Sequence, residues 1–150
     1  MIDGVIVTPL KKILDNRGSV MHMLRSDSPV FKKFGEIYFS TINSNFVKAW
    51  HKHKENTLNY ACIKGRVKFV LFDDRKESKT FGKVEELYLS PVNYFLVTVP
   101  PMIWNGFMGV ENEVSIVANC MTGPHNENEM IRKDILDKHF PYDWNKKEQY

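Results

Sequence analysis

Apolar positions along the chain fall into short runs separated by turn residues. GVIVTPL, GSVMHML, GEIYFSTI, TLNYACI, RVKFVLF, VEELYLS, YFLVTV and NEVSIVANC are each rich in Val, Ile, Phe and Tyr, the residues that fit a pleated, half-buried surface. Turn chemistry stands between them at Asp15-Asn16-Arg17-Gly18, Lys64-Gly65, Ser90-Pro91 and Pro100-Pro101. Runs recurring every 8 to 12 residues or so, with no helical pattern between them to serve as crossovers, predict an all-β sandwich or closed roll rather than a parallel sheet. One helix is expected, near the end. In Asn126 through ENEMIRKDILDKHF, the residues Met130, Ile131, Ile135 and Leu136 approximate one apolar stripe, Asn126 or Asn128 can cap it, and Phe140-Pro141 stops it. No repeat or low-complexity linker divides the chain, so one domain is expected over 1–150, with function in a pocket between sheets.

Composition adds exclusions. The 150 residues, 43% hydrophobic and 26% charged, are ordinary for a globular domain and exclude a disordered or fibrous chain. No apolar run approaches the roughly 20 residues of a membrane helix, and MIDGVIVTPLKK lacks the order of a secretion signal. The expected compartment is the cytoplasm, with no membrane partner. Cys62 and Cys120 lie far apart without C-x-x-C spacing and read as free core thiols. The net charge of +3 is slight and its lysines are scattered, apart from a charged tail at NKK and KEQY. No nucleic-acid partner is expected, whereas a small anionic ligand needs only local positive charge.

The segment VKAWHKHKEN places His51 and His53 on alternate positions of a strand, and therefore on one face. Metal-binding cupins use such a pair and add a Glu and a third His. The chain resembles that pattern through the turn glycine Gly65 and the later Val99-Pro100-Pro101-Met102-Ile103-Trp104-Asn105-Gly106-Phe107. Leu58 stands where the Glu would be, however, and Asn105 where the third His would be. Two imidazoles fall short of the three protein ligands usual at a catalytic metal, and no metal is expected.

Other motifs give a closer resemblance. Asp15-Asn16-Arg17-Gly18, Lys48-Ala49-Trp50-His51, Asp73-Asp74-Arg75 with Ser78-Lys79-Thr80-Phe81-Gly82-Lys83, Val99-Pro100-Pro101 leading to Gly106-Phe107, and Glu127 to Asp134 together resemble the dTDP-4-dehydrorhamnose 3,5-epimerases. These are cupins that epimerise nucleotide-linked 4-keto-6-deoxy sugars. The resemblance implies a jelly-roll β-barrel, a nucleotide-diphosphate 4-keto-6-deoxy sugar as substrate, no cofactor and a homodimer. It implies His51 as the base beside the ketone, with Asp134 orienting the ring and Asp137 as a register-shifted reserve. Histidine suits the task because its pKa lies near neutrality. Arg17 matches the family's diphosphate contact, a role for which a guanidinium fork is suited; Lys48, His53, Arg75 and Asn105 complete the expected substrate contacts, and Trp50 or Trp104 is available for stacking.

Departures from the family narrow the expected chemistry. The family's acidic tyrosine on a late strand matches Ala118, its enolate-stabilising lysine Leu58, an Asp Phe69, a second His Asn105, and a common Glu His22. Tyr60, on the face of Leu58 by alternation, is the expected replacement proton donor, and Asn105 can hydrogen-bond a developing enolate oxygen. Fewer acid and base groups fit a C3 epimerase better than a double epimerase. His51-Lys52-His53-Lys54 also resembles the His-Ala-His-Lys run of sugar 3,4-ketoisomerases, the alternative reaction, and a non-catalytic sugar-nucleotide-binding cupin is the third reading.

Overall fold

A computed structural model describes residues 1–145; most of the charged tail, from 146 on, lies outside the described residues. The chain forms twelve strands: β1 (Ile6–Pro9), β2 (Lys12–Asp15), β3 (Gly18–Met21), β4 (Glu36–Ile42), β5 (Val47–His53), β6 (Leu58–Lys64), β7 (Val67–Phe72), β8 (Val84–Leu89), β9 (Phe95–Val99), β10 (Trp104–Gly109), β11 (Ser115–Met121) and β12 (Met130–Arg132). Ten make two five-stranded antiparallel sheets, β1-β9-β6-β11-β4 and β12-β5-β10-β7-β8, and β2 and β3 form a separate hairpin. This is the all-β jelly-roll of a cupin, as expected.

Alternation along the strands creates the layers. Leu58, Tyr60 and Cys62 of β6 point between the sheets with Phe69, Leu71, Val97, Phe107 and Val117. Ala61 and Leu96 point outward and are covered by Met21, Met23, Leu24 and Val30. On the outer face of the second sheet, Trp50, Val70, Phe72 and Trp104 pack against Phe140, Tyr142 and Trp144 of the C-terminal segment, with Trp50 and Phe140 stacked at 4.4 Å. At the tight turn joining β6 to β7, Gly65 has φ 73° and lies against Ser115 so closely that a Cβ would come within 2.2 Å of its Oγ, which only glycine tolerates.

The expected C-terminal helix is corrected. Residues 126–129 form a turn, and Met130–Arg132 add β12 to the edge of β5, with Met130 opposite His53, Ile131 opposite Lys52 and Arg132 opposite His51. A period of two governs this segment: Ile131 packs in the outer cluster while Met130 and Arg132 face the inter-sheet cavity. Beyond it the chain makes successive turns. Asp137 N–H donates to Asp134 C=O, Phe140 N–H to Asp137 C=O, and the Asp134 and Asp137 carboxylates accept from the N–H groups of Leu136 and His139. Edge pairing satisfies the backbone groups of β5, and local Asx turns satisfy those that follow, so the helical stripe has nothing to add.

Arg75 belongs to the scaffold. Asp73, fully buried after β7, accepts from Arg75 Nε at 2.8 Å, Arg75 Nη2 at 2.9 Å, Ser78 Oγ at 2.6 Å and Thr80 Oγ1 at 2.6 Å. Arg75 also donates to Asp3 C=O at 2.6 Å, pinning the first residues. Burial alone would raise the Asp73 carboxyl; the bonds from Arg75, Ser78 and Thr80 outweigh it and hold it well below the usual carboxylate range. A carboxyl depressed in the fold stabilises above its unfolded pKa, near 3.9, and that contribution fades as pH falls toward the folded value. Asp73→Ala, which strands Arg75, is expected to cost about 3 kcal/mol at pH 7 in urea unfolding, with a smaller penalty near pH 2.

Candidate active site

Between the sheets, at the end where edge strands β4 and β12 face each other, lies a cavity of about 750 Å³. One wall is β5 with β12, presenting Lys48, His51, His53, Met130 and Arg132; the other is β4 with β11, presenting Glu36, Tyr38, Ser40 and Met121; Tyr60 and Phe107 lie deeper. An irregularity in β5 sets the first wall. Asn105 pairs with His51 but Phe107 with Lys48, so β5 carries one residue more than β10 there. Ala49 and Trp50 both join the outer cluster, and Lys48 and His51, three apart, share the inward face. Such bulges re-aim side chains beside active sites. Gly106 makes room for it, since a Cβ there would stand 2.3 Å from that of Ala49.

His51 and Tyr60 meet across the interior, Nε2 to Oη at 3.1 Å. Tyr60 also donates to Asn105 Oδ1 at 3.3 Å, and Asn105 Nδ2 donates to the carbonyls of His51 and Ile103, each at 3.3 Å. Its Nδ2 thus engaged with backbone, the Asn105 amide turns Oδ1 toward the phenol. Burial, then the neighbouring His53 and Arg132, lower the His51 imidazole to about 3, so the ring is neutral at physiological pH. Burial, with Tyr38 beside it, raises the Tyr60 phenol well above its ordinary range. The pair is a neutral imidazole and a neutral phenol in contact.

His53 has the carboxylate that the sequence reading gave to His51. Its Nδ1 lies 2.5 Å from Glu129 Oε2, and the other Glu129 oxygen accepts from the N–H groups of Asn56 at 2.9 Å and Glu55 at 3.0 Å. Burial pushes the Glu129 carboxyl up, but the Asn56 and Glu55 amides and His53 more than compensate and hold it below the usual range. With Nδ1 engaged, His53 presents its other nitrogen to the cavity. Asp134 lines the same cavity, but it is exposed and its Oδ1 accepts from Leu136 N–H at 2.8 Å. Among the described residues, no three His, Cys, Asp or Glu side chains gather as a metal site.

The structure therefore brings His51, His53, Tyr60, Lys48 and Asp134 around one cavity, with Asn105 behind Tyr60. Arg17 and Arg75 stand apart: Arg17 is 86% exposed on the β2–β3 turn and paired with Asp15 at 2.7 Å, and Arg75 is held by Asp73. The positive charge at the mouth comes instead from Lys48, Arg132 and Lys133, of which Lys48 Nζ donates to Ser40 Oγ at 2.9 Å and Thr41 C=O at 2.7 Å on the facing strand. Register turns Ala118, the position that matches the family's acid, away from the cavity. Ala118 pairs with Ala61 of the outer cluster, whereas Asn119, opposite Tyr60, and Val117, opposite Cys62, face inward. Sequence reasoning missed Tyr38, Glu129 and Arg132. Tyr38 was signalled by polar Glu36, Tyr38 and Ser40 alternating with apolar residues in GEIYFSTI; the other two were hidden by the helical reading.

The chain is similar to known proteins along nearly its whole length. The profile of the dTDP-4-dehydrorhamnose 3,5-epimerase family matches residues 1–149. The chain is 31% identical over 144 residues to the "Probable low-salt glycan biosynthesis epimerase Agl13" of Haloferax volcanii, covering 95% of this chain and 89% of that one. It is 28% identical over 147 residues to the spore coat polysaccharide biosynthesis protein SpsL of Bacillus subtilis, covering 97% of each. Among solved structures, the dTDP sugar isomerase of Desulfovibrio desulfuricans G20 superposes with a TM-score of 0.93 at 38% identity, over 95% of this chain and 92% of that one. The jelly-roll, the inward His51 and the match along the whole chain have one explanation: the chain belongs to the dTDP-4-dehydrorhamnose 3,5-epimerase family.

Proposed function

We propose that this protein epimerises a nucleotide-linked 4-keto-6-deoxyhexose at C3, by proton chemistry that uses no metal, in the cytoplasm, for a surface glycan. The contact between His51 Nε2 and Tyr60 Oη, 3.1 Å, carries the reading. An enolate forms when a base removes the proton from the carbon next to a carbonyl while a donor meets the carbonyl oxygen. The two atoms belong to adjacent carbons, so base and donor must stand within a few ångströms of each other, as two side chains already in contact do. His51 takes the C3 proton, and Tyr60 turns its single hydroxyl proton from Asn105 Oδ1 to the C4 oxygen. That places Tyr60 on the oxygen rather than on the opposite face of the sugar. Lys48, Arg132 and Lys133 at the mouth suit the diphosphate, and relatives named for glycan and spore coat polysaccharide biosynthesis support the glycan role.

With dTDP- or CDP-linked 4-keto-6-deoxyglucose in D₂O, NMR is expected to show deuterium entering C3 with inversion. His51→Asn should abolish exchange while nucleotide binding persists, and Tyr60→Phe should lower turnover by roughly 100-fold. Exchange unaltered in His51→Asn would remove it from the base role; a 3-keto product would identify a ketoisomerase.

Acid stability tests the His51 ring separately. Above about pH 6.5 His51 is neutral in folded and unfolded chains alike and contributes no pH dependence. Below that, the unfolded chain takes up a proton that the fold resists down to about pH 3, so this group removes about 1.4 kcal/mol of stability per pH unit. Between pH 7 and pH 5, His51→Gln should therefore lose about 2 kcal/mol less than the wild type in urea titrations.

The reading includes a homodimer. The β2–β3 hairpin exposes Ile13, Leu14 and Val20, and β4 exposes Ile37 and Phe39 on its outward face, apolar area of the kind covered by a second copy. Light scattering should give the mass of two chains, and Leu14→Asp with Phe39→Asp the mass of one.

A further inference from the structure

We propose that Tyr38 is the acid that delivers a proton to C3 from the face opposite His51. The inference rests on the epimerase reading above. Inversion requires a proton to leave from one face of the sugar ring and return on the other, and the cavity has two walls to supply them. His51 and His53 belong to β5, in the second sheet. Tyr38 belongs to β4, the edge strand of the first, and faces the same cavity. A sugar lying between the sheets has imidazoles on one side and the Tyr38 phenol on the other.

The neighbours of Tyr38 prepare it to give a proton. Asn119, fully buried on β11 and opposite Tyr38 in register, donates from Nδ2 to the Tyr38 hydroxyl oxygen at 3.0 Å. The orientation of that amide is set by its other end, where Oδ1 accepts from Asn59 N–H at 3.1 Å. Asn119 therefore offers N–H to the phenol oxygen, leaves Tyr38, whose hydroxyl lies beside that of Tyr60, its own proton to give, and stabilises the phenolate that remains after transfer. Tyr38 is half-buried, close enough to the mouth to be reprotonated from water.

Other inward groups are committed elsewhere. β11 presents Val117, Asn119 and Met121 to the interior and turns Ala118 away, so the late strand has no acid on this face. The Tyr60 hydroxyl is engaged with His51 and Asn105 and lies beside that of Tyr38. His53 shares a wall with His51, and Glu36 accepts from His125 N–H at the rim.

The proton balance closes. The C3–H bond breaks, His51 takes the proton, and the electron pair moves to the C4 oxygen. The enolate then collapses and C3 takes the Tyr38 proton on its other face. Water returns a proton to Tyr38 and removes one from His51, leaving no net change.

The test separates exchange from inversion. In D₂O with the nucleotide-linked 4-keto sugar, folded Tyr38→Phe should keep C3 exchange, with retention of configuration, within a few-fold of the wild type, while epimer formation falls by about 100-fold or more. In Tyr60→Phe the two should fall together. A milder loss of inversion relative to exchange is expected in Asn119→Ala, which retains the phenol. Epimer formed at the wild-type rate by Tyr38→Phe would overturn the assignment while leaving the epimerase reading standing, as would joint loss of exchange and inversion in a variant with an unchanged melting temperature. An unchanged ratio in Asn119→Ala would also count against it. A wild-type protein that exchanges neither C3 nor C5 would instead bring down the epimerase reading itself.

Discussion

The backbone edge of β5 is the constraint on which the rest depends. An uncovered edge strand presents a row of N–H and C=O groups that must find water or another strand, and here β12 takes that place with three paired residues. Because pairing fixes register, and register fixes which side chains point inward, this short strand decides the chemistry of the adjoining wall. It brings Arg132 beside His51 and Met130 beside His53, and it sets the preceding turn so that Glu129 reaches the His53 ring. The bulge in β5 completes the arrangement by keeping Lys48 on the inward face with the two histidines.

Two imidazoles on one strand thus acquire different electrostatic surroundings. His51 is half-buried against a phenol and near a guanidinium, an environment that disfavours its charged form. His53 lies against a carboxylate whose own charge is supported by two backbone amides. Asn105 and Asn119 are uncharged, yet each has its amide orientation set by the backbone at one end and presents the other to a tyrosine. The site is tuned by dipoles whose direction the sheet dictates.

Much of the β-architecture was legible because a period of two leaves a strong trace: the runs from GEIYFSTI to NEVSIVANC correspond to strands, and Gly65 occupies the turn expected of it. His51, His53 and Tyr60 were legible for the same reason, since strand alternation places them inward without tertiary knowledge. The C-terminal segment failed because Met130, Ile131, Ile135 and Leu136 satisfy a helical stripe as well as a strand followed by turns, and only the available edge of β5 decides between them. Arg17 and Arg75 stand away from the cavity for a different reason. Their motifs match the family, but a residue's reach depends on its local partners, and Asp15 and Asp73 hold these guanidiniums away from the cavity of their own chain. Ala118 shows how one residue of register exchanges an interior position for an exterior one.

That same alternation has a consequence for how β4 can change. Its inward row, Glu36, Tyr38 and Ser40, faces the cavity, and its outward row includes the exposed Ile37 and Phe39. The strand consequently has few neutral positions: a polar substitution outward alters the apolar surface, and an apolar one inward alters the cavity. Insertion or deletion of a single residue would exchange the two rows at once. Sequence drift in β4 is therefore confined to replacements that preserve both size and polarity at each place, a narrower latitude than edge strands ordinarily have.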